Sequence, residues 1–401
     1  MKILWVNSNF MHPTNKGGAI RTLEMLLHLQ KRHEIHYAAI ENPAQPEGPK
    51  RAHEYSYRAY AVRHKVPERG SAAFAAQLVG GMFSPLPLAM KRFRSVELGV
   101  FLARLIREEG FDRMVVDHLT PATYFPDLEH GILFQHNVET VIWRRHAEHA
   151  ADPLRRLYFG VQARRMFEFE RRVCRAVAHI VAVSAADAEN MRKLFGVTHI
   201  SEIPTGVNIE HHLPPPGVKC FADLAFVGSM DWLANIDGVK WFVEVVLPLV
   251  RRRRPEATFG VIGRMPPPEI RAMAERDPKI FVTGTVEDVR PYLWGSKISV
   301  VPLRIGGGTR LKIYESMAAK VPVISTSVGA EGLEVHPPEN ARIADSAEDF
   351  AEACVELLED AGERTRMAAA AWEMVNARFS WERVAECFER VLEHTPRTLA
   401  V

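Results

Sequence analysis

The segment Ile305 to Lys320, IGGGTRLKIYESMAAK, concentrates residue types that bind anions. Gly306, Gly307 and Gly308 follow an apolar run that ends near Pro302, and Thr309 can cap a helix running on through Ile313, Met317 and Ala318. A glycine-rich turn opening a helix presents backbone N–H groups at the positive end of the helix dipole, and phosphate is the usual occupant. Arg310 and Lys312 fall in the first turn, where positive charge opposes that dipole. An anion in front of the turn offsets the cost. Glu315, one turn deeper, can accept hydrogen bonds from sugar hydroxyls in the same pocket. The plain alternative is a mobile glycine loop with solvated charges and a paired Glu315. The stretch is neither GxxxxGK[ST] nor a GxGxxG after a first strand, so nucleoside-triphosphatase and dehydrogenase chemistry are poorly supported.

Two further stretches carry weaker signals. Gly17 and Gly18 stand between a first apolar run and a helical pattern, where glycine lets a ligand approach the backbone; an ordinary loop–helix junction looks the same. His136, in FQHNVE, and His118, in VVDHLTP, both sit where a strand should end. Each is a candidate ligand-contacting group, and each also reads as a structural histidine. No Asp-x-Asp pair occurs, so the usual carboxylate pair for a metal–diphosphate complex is missing and no metal site is expected. A diphosphate would instead be neutralised by arginine, lysine and backbone N–H groups.

These groups need a frame. Apolar runs at Ile3 to Val6, Ile35 to Ile40, Met114 to Val116, Ile132 to Phe134 and Ile180 to Val183 alternate with helical stretches such as Ala19 to Lys31. The pattern predicts a parallel sheet covered on both faces, closed by the Ile180 run. LPPPG at Leu213 to Gly217 interrupts it, since no helix or strand interior tolerates that run. The pattern restarts with runs at Leu224 to Val227, Thr258 to Ile262, Phe281 to Thr283, Ile298 to Pro302 and Val323 to Ser325, the last clear strand. The fold class expected is α/β, with two facing Rossmann-like domains over residues 1–212 and 213–379. A helical tail runs from Ala347 to Leu392, with Ser380 as cap of the last helix. Ligands of open α/β sheets bind beyond the carboxyl ends of the strands, so the expected site lies there, in the cleft between domains.

Composition agrees with two cored domains. The 401 residues are 47% hydrophobic and 25% charged, with a formal net charge of +2. That balance argues against nucleic acid as a partner. Four cysteines form no CxxC pair, so neither a zinc site nor a disulfide framework is read and a reducing cytoplasm is expected. The apolar start, MKILWV, is too short for a signal peptide and is followed at once by polar residues; a first strand is the better reading. Phe74 to Arg94 mixes apolar residues with a basic end. It reads as a helix pair packed on the first domain or as a membrane-surface segment. Arg251 to Arg254 reads as a solvated charge cluster at a helix end.

Taken together, these segments resemble the retaining family-4 glycosyltransferases of GT-B architecture. The similarity runs through the Gly17–Gly18 loop, His136, AVSAADAENMRKLFG, IPTGVNIE, FVGSM with Gly228, VIGR with Arg264, VTGTVEDVRPYLWGSKISVVPL, GGTRLKIYESMAAKVPVISTSVGAEGL and FSWERV. GGTRLKIYESMA is the most specific of them, and FVGSMDWLANIDGVKWF resembles a subgroup associated with exopolysaccharide synthesis. The resemblance implies that Glu315 binds the nucleotide ribose and that His136 contacts the transferred sugar. Gly17 and Gly18 would lie against the donor diphosphate, and Val286 would border the base. The helix of residues 380–401 would cross back onto the first domain. Two positions depart from the family pattern. Gly307 stands where the first glutamate of the paired motif belongs, and Ser229 and Asn235 occupy the region of a family arginine and lysine. Arg310 and Lys312, with Arg264, are the replacement charges.

The implied activity is transfer of a sugar from a UDP- or GDP-linked donor, a co-substrate rather than a resident cofactor, with retention and without metal. The acceptor would be lipid-linked, a polysaccharide or a small molecule, with peripheral membrane contact as a further expectation. The alternative is a non-catalytic nucleotide-sugar-binding protein of a polysaccharide assembly system.

Overall fold

The computed structural model describes residues 1–14, 17–64, 84–148, 152–305 and 310–395. The chain divides into two compact units, Met1–Pro204 with Val384–Val401, and Thr205–Arg383.

The first unit holds a parallel sheet of seven strands. They are β1 (Lys2–Val6), β2 (Glu34–Glu41), β3 (Arg58–Arg63), β4 (Arg113–Asp117), β5 (Gly131–Gln135), β6 (His179–Ala182) and β7 (Ile200–Glu202), in the order β3-β2-β1-β4-β5-β6-β7. Its central strands β4 and β5 are buried along their whole length, with apolar residues at their centres, as a sheet covered on both faces requires. The Ile180 run is therefore not the last strand: β7 lies beyond it. β3 and β7 escape a reading of apolar runs for different reasons. β3, RAYAVR, is a largely exposed edge strand, and β7, ISE, is too short to show a period.

The helices that frame this unit's site are α1 (Gly17–Leu29), α2 (Val96–Glu109), α3 (Glu139–Glu148), α4 (Pro153–Ala176) and α5 (Ala185–Phe195). Trp5 of β1, fully buried, meets Phe134 edge-on at 6.0 Å and Phe388 at 5.4 Å.

The second unit holds a parallel six-stranded sheet in the order β10-β9-β8-β11-β12-β13. Its strands are β8 (Ala222–Val227), β9 (Phe259–Ile262), β10 (Ile280–Val282), β11 (Ser296–Val301), β12 (Val323–Ser325) and β13 (Arg342–Ile343). β13 has two residues and follows the last strand read from sequence. Helices α6 (Leu233–Trp241) and α7 (Leu311–Ala318) follow β8 and β11, and α8 (Trp381–His394) ends the described chain. A backbone bond from Arg383 N to Ser380 Oγ at 3.4 Å caps α8 as expected. Phe226, Phe242, Phe259 and Phe350 fill this unit's core.

LPPPG lies within the second unit, which begins at Thr205. The residues before it are tied there: Val207 bridges Ser380, and His211 O and His212 O accept from Arg290 and Trp294. Within Arg251 to Arg254, Arg251 is bound to Ala257 O and Asp277 and Arg253 to Glu352 and Glu359, while Arg252, Arg253 and Arg254 are exposed. Among the described residues, no helix is long and apolar enough to cross a membrane. Of Phe74 to Arg94, residues 74–83 lie outside the described residues, and a short helix spans Leu88–Lys91.

Candidate active site

Both sheets reverse their strand order at one place, between β1 and β4 in the first and between β8 and β11 in the second. Such switch points open a crevice at the strands' carboxyl ends. The sequence candidates that the structure describes gather at these two places, except Val286, which follows the edge strand β10.

At the first switch point the organising group is Asp117, the last residue of β4 and fully buried. One carboxylate oxygen, Oδ2, accepts from Trp5 Nε1 at 3.0 Å, Asn7 Nδ2 at 2.7 Å and Thr22 Oγ1 at 2.7 Å. The other, Oδ1, lies 2.7 Å from His136 Nε2. Burial alone would raise this carboxyl's pKa, but His136, His118 and the donors hold it well below the ordinary range, so it is ionised. His136 follows β5 and is 3% exposed. Its Nδ1 stands 3.2 Å from Arg21 NH1 of α1. A guanidinium only donates, so Nδ1 is the acceptor and Nε2 carries the proton given to Asp117. Burial, then His118, pushes His136 down to about 3, and the ring is neutral at pH 7.

Both nitrogens of His136 are thus engaged inside the protein. His118 is placed differently. Its ring stacks on His136 at a centroid distance of 3.8 Å, yet the residue remains partly exposed. Its backbone adopts φ 70°, a conformation rare for residues other than glycine and common at functional sites. Gly18 lies against it: a Cβ there would come within 3.3 Å of His118 Cε1 and Nε2. Gly17 opens α1 directly before it.

Asp117, His118 and His136 bring their ligand atoms within 4.8 Å of one another. Both oxygens of Asp117 and both nitrogens of His136 are already committed, and the Arg21 cation faces the group. The arrangement is a hydrogen-bond network around a buried carboxylate rather than a cation cage.

The loop carrying His136 is clamped by a residue that no motif announces. Glu170 of α4, fully buried, accepts from Gln135 Nε2 at 2.9 Å, Glu139 N at 3.0 Å, Thr140 N at 2.7 Å and Thr140 Oγ1 at 2.6 Å. It supplies the missing acceptor for the first N–H groups of α3. The only sequence signal was a carboxylate on the apolar stripe of α4, among Met166, Phe169 and Val173.

At the second switch point the centre is Lys312, in the first turn of α7. Its Nζ donates to Asn235 Oδ1 of α6 at 3.0 Å and lies 4.1 Å from the centre of the Phe226 ring. Asn235 in turn donates to Ser229 O at 2.7 Å, just past Gly228. Arg310, the residue before α7, is 3% exposed and stands over Trp232, 5.3 Å from the ring centre. Burial, then the charge of Arg310, pushes Lys312 down to about 7, against the pull of Glu315. Glycine at the strand ends leaves room for close neighbours. A Cβ on Gly228 would fall 2.6 Å from Lys312 Nζ, and one on Gly263 would fall 1.9 Å from Gly228 O. Arg264 donates to Ser229 Oγ at 2.8 Å and to Asp231 Oδ2 at 3.2 Å, so it braces the β8–α6 loop.

Glu315 stands one turn after Lys312 on α7 and is partly exposed. Val286 follows β10, with β9 between that strand and β8. Gly306, Gly307, Gly308 and Thr309 lie outside the described residues. The Ser229 and Asn235 positions are explained by this cluster, because Lys312 delivers a cation to Asn235 from another helix.

The model of Glycosyltransferase Family 4 matches residues 15–211, and that of Glycosyl transferases group 1 matches residues 222–360. Among curated proteins, the chain is 25% identical over 237 residues to a GDP-mannose-dependent alpha-(1-6)-phosphatidylinositol monomannoside mannosyltransferase of Mycobacterium tuberculosis, covering 54% of this chain and 61% of that protein. It is 30% identical over 162 residues to a GDP-mannose-dependent monoacylated alpha-(1-6)-phosphatidylinositol monomannoside mannosyltransferase of Corynebacterium glutamicum, covering 38% and 42%. The matches span about half the length of these relatives.

Among solved structures, sucrose-phosphate synthase from Thermosynechococcus elongatus superposes with a TM-score of 0.70 at 15% identity, over 98% of each chain. HepE of Anabaena, in complex with UDP and glucose, superposes with a TM-score of 0.67 at 13% identity, over 98% of this chain and 99% of that one. With both family models matched in sequence order and the two-sheet fold shared along the whole chain, the protein belongs to the family-4 glycosyltransferases of the GT-B fold.

Proposed function

We propose that the protein transfers a hexose from a nucleoside-diphosphate donor, UDP- or GDP-linked, to a glycan or lipid-linked acceptor, with retention of configuration and without a metal. One observation carries the reading: Lys312 and Arg310 are held half-buried and buried, respectively, at the second unit's switch point, with the Lys312 ammonium bonded to an amide oxygen rather than a carboxylate. Such a site has cation to spare for an anion.

Departure of a nucleoside diphosphate develops negative charge on its phosphate oxygens. Fixed donors aimed at that charge give the largest catalytic contribution, often ~3–4 kcal/mol for one donor. Lys312 and Arg310 fill that role, with the Gly306–Gly308 backbone as further donors, and Glu315 takes the ribose. The acceptor hydroxyl attacks from the leaving-group face and gives its proton to a diphosphate oxygen. At the first switch point His118 offers the open ring edge to a sugar hydroxyl. His136, spent on Asp117 and Arg21, holds that ring in place. The GDP-mannose dependence of the two curated relatives puts GDP-mannose first among donors to try.

The test is product analysis with UDP- and GDP-linked hexoses and a lipid-linked and a soluble acceptor, each run with and without EDTA. A glycosylated product whose anomeric linkage by NMR matches that of the donor supports the whole reading. An inverted linkage removes retention, and loss of turnover in EDTA removes the metal-free claim. Donor binding with no product on any acceptor moves the protein to the non-catalytic alternative.

A further inference from the structure

We propose that Trp232 is the platform on which the transferred hexose rests, with the indole face against the sugar's C–H face and the indole N–H toward a hydroxyl. The inference rests on the donor reading above and adds the group that recognises the sugar. Trp232 ends the loop that follows β8 and is the cap residue of α6. Its carbonyl oxygen accepts from Asn235 N at 3.0 Å and from Ile236 N at 3.2 Å, so its backbone is fixed by the helix it opens. That first turn also carries Asn235, the acceptor of the Lys312 ammonium. The buried Arg310 guanidinium lies over the Trp232 ring, 5.3 Å from its centre. Trp232 is nevertheless 39% exposed, and its Nε1–H has no hydrogen-bond partner among the described residues.

Leu233, Met265 and Ile305 are exposed as well. With Trp232 they stand after β8, β9 and β11, which are neighbours in the sheet. A single exposed apolar side chain needs no explanation, but a group of them around two held cations marks a binding site. Asp231, the residue before the ring, accepts from Ser229 Oγ at 2.6 Å and from Arg264 NH2 at 3.2 Å. A carboxylate offers about four acceptor sites, so Asp231 keeps capacity for hydroxyls. An aromatic face beside a carboxylate suits a sugar. The sugar's C–H bonds, positive outward, meet the negative face of the ring, and its hydroxyls meet the carboxylate. The bonding of the donor decides which part of it reaches the ring. The hexose is bonded directly to the diphosphate that Arg310 and Lys312 take, whereas the base is held off by the ribose, which Glu315 takes. The ring on Arg310 therefore borders the hexose.

The experiment is calorimetric titration, without acceptor, of GDP, GDP-mannose, UDP and UDP-glucose into the full chain, as wild type, Trp232→Leu and Trp232→Phe. Leucine keeps an apolar cover over Arg310 and removes the ring. Trp232→Leu should weaken binding of the nucleotide-hexose by about tenfold, the scale of one aromatic contact, and binding of the matching nucleoside diphosphate by less than about twofold. Trp232→Phe, which restores a ring face, should keep nucleotide-hexose affinity within about threefold of the wild type. The side chain is exposed, so both variants should keep the wild-type melting midpoint. Equal losses for nucleotide-hexose and nucleoside diphosphate overturn the proposal and leave the ring as a cover for Arg310 alone. No loss for either ligand, or a phenylalanine variant as weak as the leucine one, overturns it too. These results leave the donor site standing. A wild type that binds none of these nucleotides fails the donor reading, and the platform with it.

Discussion

Lys312 is the residue on which the chemistry turns. Its pKa of about 7 describes the free protein, and a diphosphate beside it favours the ammonium. Below pH 7 the ammonium is already present and binding takes up little proton. Above pH 7 the free protein has lost that proton, and binding must recover it. Nucleoside-diphosphate affinity should therefore be flat below about pH 6.5 and fall by up to about tenfold per unit above 7.5. Calorimetry at pH 8 in buffers of different ionisation enthalpy should show uptake approaching one proton. No uptake, with pH-independent affinity, would show that Lys312 does not meet the anion. The two histidines divide similarly. His118→Ala should lower kcat by about 100-fold, the upper part of the range for one positioned polar group being larger still, while nucleotide affinity stays put. His136→Ala removes a buried hydrogen-bond partner from Asp117 and from Arg21, so it should lower both activity and melting midpoint. If His118→Ala is fully active and His136→Phe, which keeps a ring beneath His118, is not, the sugar contact belongs to His136.

At the scale of elements, the strand ends and helix starts carry the site, and their glycines are structural conditions for it. Gly263→Ala would drive a methyl into Gly228 O, a backbone atom that cannot swing away, and should destabilise the second unit by several kcal/mol. Gly228→Ala meets the mobile end of Lys312 instead. It should cost little stability and much nucleotide affinity, and thermal melts with calorimetry on both variants separate the two effects. Glu170→Ala leaves the two N–H groups at the start of α3 and the Thr140 hydroxyl without their acceptor. About 3 kcal/mol of destabilisation is expected by denaturant titration. A loss below about 1 kcal/mol would show that the clamp on the His136 loop is dispensable.

How much of this could be read beforehand also depends on the element. The central strands were legible because a sheet covered on both faces makes short apolar runs, as in MVV of β4 and VV of β11 with Ile298 before it. Glycines at the ends of β8 and β9 marked the carboxyl edge. β3, β7 and β13 were not legible, being exposed or only two or three residues long. His136 was visible from its place at a strand end, but its inward bonds to Asp117 and Arg21 join residues distant in sequence. The same holds for Glu170 and for Asn235, whose partner Lys312 comes from another helix.

The whole molecule holds two parallel sheets, each with a switch point lined by its own polar cluster, within a nearly neutral chain. The family model matched by each half and the fold shared with nucleotide-bound relatives place the chain among glycosyltransferases. The claim particular to this chain is that a lysine on α7, held by Asn235, supplies the cation for the donor. Calorimetric titration of UDP, GDP and ADP into the wild type and into Lys312→Ala tests it most directly. The account predicts clear binding of one of these nucleotides by the wild type and a loss of at least about 100-fold in the variant, the effect of removing one preorganised charge. Binding that is equal in the two proteins, or absent from both, would contradict it.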